Sequence, residues 1–248
     1  MKRTHGCFVV IITGLLVVAS AGLAHAAEAV AAPEKKEEAP PQPKLDKIKI
    51  DVKQKRIEVM GRFCLKEGIL DYLGVTAGGQ EYESVTALNC SGSRLHAALL
   101  AIGAVPGPSP QMMELIKKNP PKDRPLPKRT GTALVITAEW TAGGKTVSVP
   151  ATQLLINRKE KKPQTGGRWT FTGSHFAKDE NGKQFYMADI DRALISVVYM
   201  AAAVVNFNLD AGNPYAAEDE GYEANTKLIP KEDTPVKLII TLAKQKND

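Results

Sequence analysis

Residues Glu81–Gly103 run EYESVTALNCSGSRLHAALLAIG and combine a short β-prone segment, a polar turn and an amphipathic helix. Val85 and Thr86 sit in the β-prone part, Ser84–Leu88, where branched side chains fit a pleated surface better than a helix. Leu95, Ala98, Leu99 and Ile102 then recur at i, i+3, i+4 and i+7, an apolar stripe about 100° wide that needs a surface to bury against. Ser91 or Ser93 can cap the first free N–H groups, Gly103 suits a left-handed terminus, and Pro106 prevents continuation. The spacing predicts a main helix over about 94–103. The stretch also holds Glu81, Glu83, Ser84, Cys90 and His96, a dense set of reactive side chains. A strand that passes through a polar turn into a helix start gathers backbone N–H groups and the positive dipole end. That setting suits a binding site and is equally common as plain connectivity.

Hairpin signals dominate on both sides of this stretch. Ile48, Ile50 and Val52 alternate, KQKR turns, and Ile57 and Val59 alternate again, with the strand running on to Cys64. Ile69-Leu70 begins a further short strand, and Gly78-Gly79 is a turn. Leu134, Ile136 and Ala138 share a face of a strand over Ala133–Trp140, which turns at Gly143-Gly144 and returns over Thr146–Val149. Trp169–Thr172, Phe185–Ala188, Leu194–Tyr199 and Val236–Leu242 are further expected strands, and Asn181-Gly182 predicts a type I′ hairpin turn. Gln111–Lys118 and Thr152–Arg158 are expected minor helices, and Asp210–Thr226 an expected polar loop. NPPKDRPLPKRTG, residues 119–131, is too rich in proline for a regular element. Without regular β-α-β alternation, the expected fold class is α+β: a largely antiparallel sheet of short strands packed by the helix at 94–103.

The start of the chain carries an export signature. Lys2 and Arg3 precede the apolar run Phe8–Ala19, and Ala24-His25-Ala26 forms a small-x-small site. These features predict a Sec-type signal peptide cleaved near Ala26, with an uncleaved anchor as the alternative and the membrane touched only in that case. Cleavage would leave 248 − 26 = 222 residues. Residues 27–46, rich in Ala, Pro, Glu and Lys, predict a disordered linker, and residues 47–243 a single domain. The formal charge of +6 falls to +4 without Lys2 and Arg3. The clusters at 53–56, 122–129 and 158–162 lack interleaved aromatics, so solvated turns are expected rather than a nucleic-acid surface. Of the three cysteines, Cys64 and Cys90 follow the leader. In an oxidising compartment they can pair, or remain buried thiols.

Six segments, KRIEVMGRFCLKEGILDYLGV, GGQEYESVTAL, SRLHAALLAIGAVPG, FTGSHF, QFYMAD and YEANTKLIPKEDTPVKLII, together resemble the YdjY-type domain of exported bacterial proteins, in that family's order. The resemblance implies a single exported domain and brings no established activity. Its Glu–Ser pair falls on Glu83 and Ser84, and its His before Ala-Ala-Leu on His96. Tyr82 stands where the family's HES-like triplet has a histidine. Some relatives are described as ferredoxin-like, but Cys64 and Cys90 cannot supply the four thiolates of such a cluster, so no cofactor is expected.

Three chemistries compete for these residues. In the first, the chain is an exported, non-enzymatic binding or structural domain of the cell envelope. Glu83, Ser84, His96 and Ser174 then stabilise the strand–helix junction or contact a small ligand or an envelope protein, because free N–H donors before a helix must be satisfied. In the second, it is a hydrolase with Ser84 as nucleophile, His96 as base and Glu83 or Glu81 orienting it. Against this stand the missing G-x-S-x-G elbow and the opposite faces that adjacent strand residues occupy. In the third, His96 joins Glu83, Cys90 or His175 at a metal, or Cys64 and Cys90 do redox work, although no His-x-x-x-His or Cys-x-x-Cys spacing occurs. Asp189 and Asp191 fit a turn better than a calcium loop, and Trp140 and Trp169 fit the core.

Overall fold

Alternation is strongest in three segments, and they form the spine of the fold. Ile57, Val59 and Phe63 are buried in one, Leu134, Ile136, Ala138 and Trp140 in the second, and Val236, Leu238 and Ile240 in the third. Between them Glu58, Arg62, Glu139 and Lys237 keep part of their side chains in water, as a period of two requires. The computed structural model describes residues 48–108, 118, 130–209, 211, 212, 215 and 217–244. In chain order these contain β1 (Ile48–Asp51), β2 (Arg56–Phe63), β3 (Ile69–Leu70), β4 (Tyr72–Thr76), a 3-10 turn at Glu81–Glu83, β5 (Ser84–Leu88) and α1 (Gly92–Ala101). Then follow β6 (Ala133–Ala142), β7 (Lys145–Pro150), a 3-10 turn at Ala151–Leu154, β8 (Leu155–Asn157), β9 (Lys162–Pro163), β10 (Trp169–Phe171), β11 (Phe176–Lys178) and β12 (Gln184–Tyr186). The chain ends with α2 (Met187–Ile190), β13 (Ala193–Ser196), β14 (Val205–Phe207), β15 (Tyr222–Ala224) and β16 (Pro235–Leu242).

Eight strands close into a barrel in the order β2-β16-β6-β10-β14-β13-β4-β5, and β5 pairs back onto β2. Closure is staggered, as strand tilt in a barrel demands. β5 takes Gly61–Phe63 at one end of the long ladder, and β10 takes Ala133 and Leu134 at the other. β1 and β7 pair with the lengths of β2 and β6 that these partners leave open. β4 runs parallel to β5 and β13 parallel to β14, with β4 and β13 antiparallel between them. A small sheet, β3-β15-β8-β9, and the hairpin β11-β12 lie beside the barrel.

The barrel interior and the helix stripe share one core. Leu95, Ala98, Leu99 and Ile102 join the cluster built by Ile57, Val59, Phe63, Leu134, Ile136, Leu238 and Ile240. Ser91 Oγ accepts from the Arg94 amide, so of the two expected caps it is Ser91 that closes the helix start. At the other end Gly103 (φ +87) donates to Leu100 and Ala104 donates to Leu99, a Schellman closure. Phe63 and Trp140 meet edge to face at 5.4 Å, and Trp169 is buried as well. Two interior glycines make room for Leu88. A Cβ on Gly61 would lie 2.3 Å from the Ala87 carbonyl oxygen and 2.8 Å from Leu88 Cδ2, and one on Gly74 would lie 2.9 Å from Leu88 Cδ1.

The expected α+β arrangement, a sheet packed by one main helix, is overturned by this closure. The architecture is a mostly β barrel, and the ten-residue α1 contributes one stripe to a core that eight strands enclose. The parallel pairs account for much of the difference. Parallel neighbours ordinarily need a crossover of about a dozen residues or more, yet here Ala77–Glu83 and Val197–Val204 suffice. Other expectations shift locally. Thr152–Arg158 is no helix: a 3-10 turn ends at Leu154, and Leu155–Asn157 pairs with β15. Tyr222–Ala224, inside the expected polar loop, is that partner. The strand expected over Phe185–Ala188 stops at Tyr186, where Met187 begins a helical turn. At Asn181-Gly182 only the glycine takes positive φ (+79), and Asp179 Oδ1 accepts from the Asn181 and Lys183 amides, so the hairpin closes through a longer loop than type I′. The type I′ signature belongs instead to Gly143 and Gly144, at φ 56° and 75°. The export signal, the linker over 27–46, the helix from Gln111 apart from Lys118, and the proline-rich loop up to Arg129 lie outside the described residues.

Gly61→Ala is expected to lower unfolding free energy by ~2–3 kcal/mol, because backbone of β5 blocks the new methyl. Urea midpoints of the variant and of Met60→Ala, a neighbour with an outward side chain, check this. A Gly61 variant as stable as the Met60 variant would refute tight closure at this seam.

Candidate functional site

α1 carries His96 to a half-buried position against the loop that leaves β10. Gly173 (φ +86) and Ser174 (φ 55) turn that loop left-handed. A Cβ on Gly173 would approach Pro106 Cβ to 2.6 Å, so the close contact needs glycine. His96 Nδ1 lies 3.1 Å from the Gly173 carbonyl oxygen and 2.7 Å from the Tyr186 hydroxyl, which itself donates to that carbonyl at 2.8 Å. A carbonyl only accepts and the tyrosine proton is already engaged, so hydrogen-bond logic assigns the ring proton to Nδ1. Phe171 and Tyr186 hold the imidazole edge to face, at 4.9 and 5.6 Å between centroids. Burial lowers the His96 pKa from its ordinary 6.5, partly opposed by the Gly173 bond, so the ring is neutral at pH 7. Burial likewise raises the Tyr186 phenol.

Ser174 belongs to the same junction. Its Oγ accepts from the Ala188 amide at 3.1 Å and holds the first turn of α2. From that turn Asp189 Oδ1 accepts from the Ser93 amide at 2.8 Å, which puts a carboxylate at the positive end of α1. His175 Nδ1 bonds instead to the Ala201 carbonyl at 3.2 Å. The structure therefore brings together His96 and Ser174, joined by Gly173 and Tyr186, and gives His175 a separate partner. Among the described residues no group of three His, Cys, Asp or Glu is arranged to hold a metal ion, and no helix is long and apolar enough to cross a membrane.

Ser84 is elsewhere. It is fully buried in β5, and its hydroxyl donates to the Thr86 carbonyl at 3.0 Å, with no hydrogen bond to His96. Cys64 and Cys90 form no disulfide. Their sulfurs lie 3.1 Å from the Ser84 carbonyl oxygen and 3.2 Å from that of Ser91. Burial, with the Glu81 charge behind it, pushes the Cys64 thiol up to about 12, far from the thiolate that nucleophilic or redox chemistry needs. Glu81 itself pairs with Arg62 at 2.6 Å and accepts from the Gly78 amide at 2.7 Å, which fixes the turn before β5.

Glu83 leads to a second group of residues. Its Oε1 accepts from the Tyr215 hydroxyl at 2.5 Å, and its backbone carbonyl accepts from the Asp71 amide. Asp71 is only 9% exposed, and no hydrogen bond or ion pair among the described residues reaches its carboxylate. Burial and then the neighbouring Glu83 charge raise its pKa to about 6. Tyr72, Tyr82 and Tyr215 lie in the same field, for the charges of Asp71 and Glu83 help to raise both Tyr72 and Tyr215. Sequence reading missed Asp71 and Tyr186. Both sit in quoted segments, ILDYL and QFYMAD, and an acid inside an apolar run is the signal that marks the first.

The raised Asp71 pKa has a definite sign. The unfolded chain ionises near the ordinary 3.8 and the native one near 6, so native stability falls as pH rises through that window and stays reduced above it. Asp71→Asn is expected to stabilise the protein by roughly 1–3 kcal/mol at neutral pH and by nothing near pH 4. Denaturant titrations at both pH values check it, and a destabilised variant at neutral pH would refute the buried-acid reading.

No curated protein and no solved structure matches the chain. A family model, the YdjY domain, matches residues 48–241. That span runs from the first residue of β1 into β16 and takes in every strand of the barrel, α1, α2 and both groups of residues described above, and the chain therefore belongs to the YdjY domain family.

Proposed function

We propose that this YdjY-domain chain is an exported envelope protein that works as a non-enzymatic binding or structural module. One observation supports the non-enzymatic reading above the rest: Ser84, the candidate nucleophile, is fully buried and its hydroxyl is engaged by Thr86 within its own strand. A serine nucleophile must reach a substrate carbonyl and touch a base, and Ser84 does neither. His96 is occupied with the loop after β10, so its role is to tie α1 to the barrel. Export is supported by the leader's order of basic, apolar and small residues and by the polar segment that follows it.

Two measurements test this reading. Mass analysis of the protein recovered from an envelope fraction is expected to give a chain that begins at Ala27. His96→Ala is expected to lower Tm by several degrees, since it removes the bonds to Gly173 and Tyr186 and two ring contacts, about 1–3 kcal/mol in all. Because the native His96 pKa is depressed, its contribution is present above pH 6.5 and is lost as pH falls. Turnover of an ester or peptide substrate that Ser84→Ala abolishes without changing Tm would overturn the non-enzymatic reading, and a full-length cytoplasmic product would overturn export.

A further inference from the structure

The turn between β1 and β2 places a lysine where its geometry favours glycine. Lys55 takes φ 50°, a left-handed conformation that glycine or asparagine adopts at lower cost. Its amide donates to the Val52 carbonyl at 3.3 Å, and the Gln54 amide donates to Asp51 Oδ1 at 2.9 Å. Those bonds close the turn with Val52 58% exposed at its tip and Ile50 42% exposed on the strand before it. Lys53 and Lys55, both exposed, stand beside Val52. The ladder registers bring two more residues to this end of the barrel. Arg56 lies opposite Thr241 and Thr241 opposite Val135, so the exposed Lys244, just past β16, joins the same rim. Thr132, just before β6, donates its amide to the Val105 carbonyl, and Val105 is 65% exposed.

Charge on this rim is one-sided. Asp51 is turned back on the Gln54 amide, and Glu58 pairs with Arg56 at 2.7 Å. No ion pair among the described residues takes Lys53, Lys55 or Lys244. Lysines interleaved with exposed aliphatic side chains suit a surface that offers phosphates with hydrocarbon beneath them. A lysine stem lies along the apolar layer while its ammonium stays with the phosphates. Nucleic acid would call for stacking aromatics, and the hairpin tip has none. We propose that this rim is a contact surface for an anionic lipid bilayer, with Val52 entering the headgroup layer and Lys53, Lys55 and Lys244 on the phosphates. The contact is separate from the leader, and it rests on the export reading only for where the protein meets lipid.

Co-sedimentation of the protein recovered from the envelope fraction tests it, with vesicles of phosphatidylcholine alone and of phosphatidylcholine with about one-third phosphatidylglycerol. Binding is expected to the anionic vesicles only, and it is expected to fall steeply between about 0.1 and 0.5 M salt. Each lysine near an anionic leaflet is worth about fivefold in affinity. Lys53→Gln combined with Lys55→Gln is therefore expected to weaken binding about twenty-five-fold, and Val52→Ser several-fold, with thermal melts unchanged. Lys53→Arg, which keeps the charge, is expected to bind as the wild type does. A retained leader would bind both kinds of vesicle and ignore the turn variants, and chain mass alone reports export, so the two readings fail separately. The proposal is overturned if anionic vesicles bind no more protein than neutral ones or if the double lysine variant binds as the wild type does. It is overturned equally if polyglutamate binds and the vesicles do not, which would assign the rim to an acidic protein.

Discussion

Pairing of Gly61–Phe63 with Thr86–Leu88 is the contact on which the rest of the molecule depends. Without it the strands would form an open sheet with β5 at one margin and an unfilled interior. With it, Leu88 occupies the space left by two glycines, and the apolar faces of β2, β16 and β6 acquire an opposite wall. Backbone geometry sets this arrangement before side-chain preference does: the Ala87 carbonyl comes so near Gly61 that no other residue fits. The polar groups of the seam are then settled locally. Ser84, Thr86 and Thr76 each give their hydroxyl to a backbone carbonyl, of Thr86, Leu73 and Cys90 respectively, so five consecutive buried residues in β5 leave no unmet donor among those side chains.

The same seam explains how the two groups of functional interest arise. β4 and β5 run parallel across a short connection, and that connection brings Glu83 back beside Asp71, where β4 begins. On the far side β5 passes directly into α1, which lays His96 against the loop after β10. One group is closed, neutral and fully hydrogen-bonded at Nδ1. The other is acidic and holds a carboxyl with no internal partner. Their electrostatics differ because their neighbours differ: a backbone carbonyl and a phenol at His96, a second acid at Asp71.

Local chemistry was legible in the sequence wherever a short-range pattern determined it. The α1 stripe, a serine cap at 91 or 93, the Gly103 terminus, the β1-β2 and β6-β7 hairpins and the alternation of β16 all follow from side-chain period and turn residues within a few positions. Closure was not legible, because no local rule pairs residue 61 with residue 88 or joins parallel strands across so short a span. Thr152–Arg158 shows the same limit. Its apolar spacing suits a helix, but pairing with β15, which lies far along the chain, decides its state. At the site, residue types were legible and adjacency was not. Ser84 and His96 are near in sequence, yet a strand and a helix carry them to different partners. Asp71 and Tyr215 are far apart in sequence, yet both donate a hydrogen bond to Glu83, from the amide and the hydroxyl respectively.

Closure with so large a stagger has a further effect at the barrel's margins. A closed barrel ordinarily abolishes sheet edges, but here β1 and β7 extend past the ring, and no other strand among the described residues pairs with their outer sides. Such open edges invite chain-to-chain association in concentrated solution. β1 carries Lys49 and Asp51, and β7 begins at Lys145 and ends at Pro150, which has no N–H to offer a passing strand. The charges make a neighbouring chain desolvate before it can pair, and the proline interrupts the ladder. The two rims that staggering leaves behind are thus poor templates for aggregation, so the ring can close off-register without making the molecule sticky.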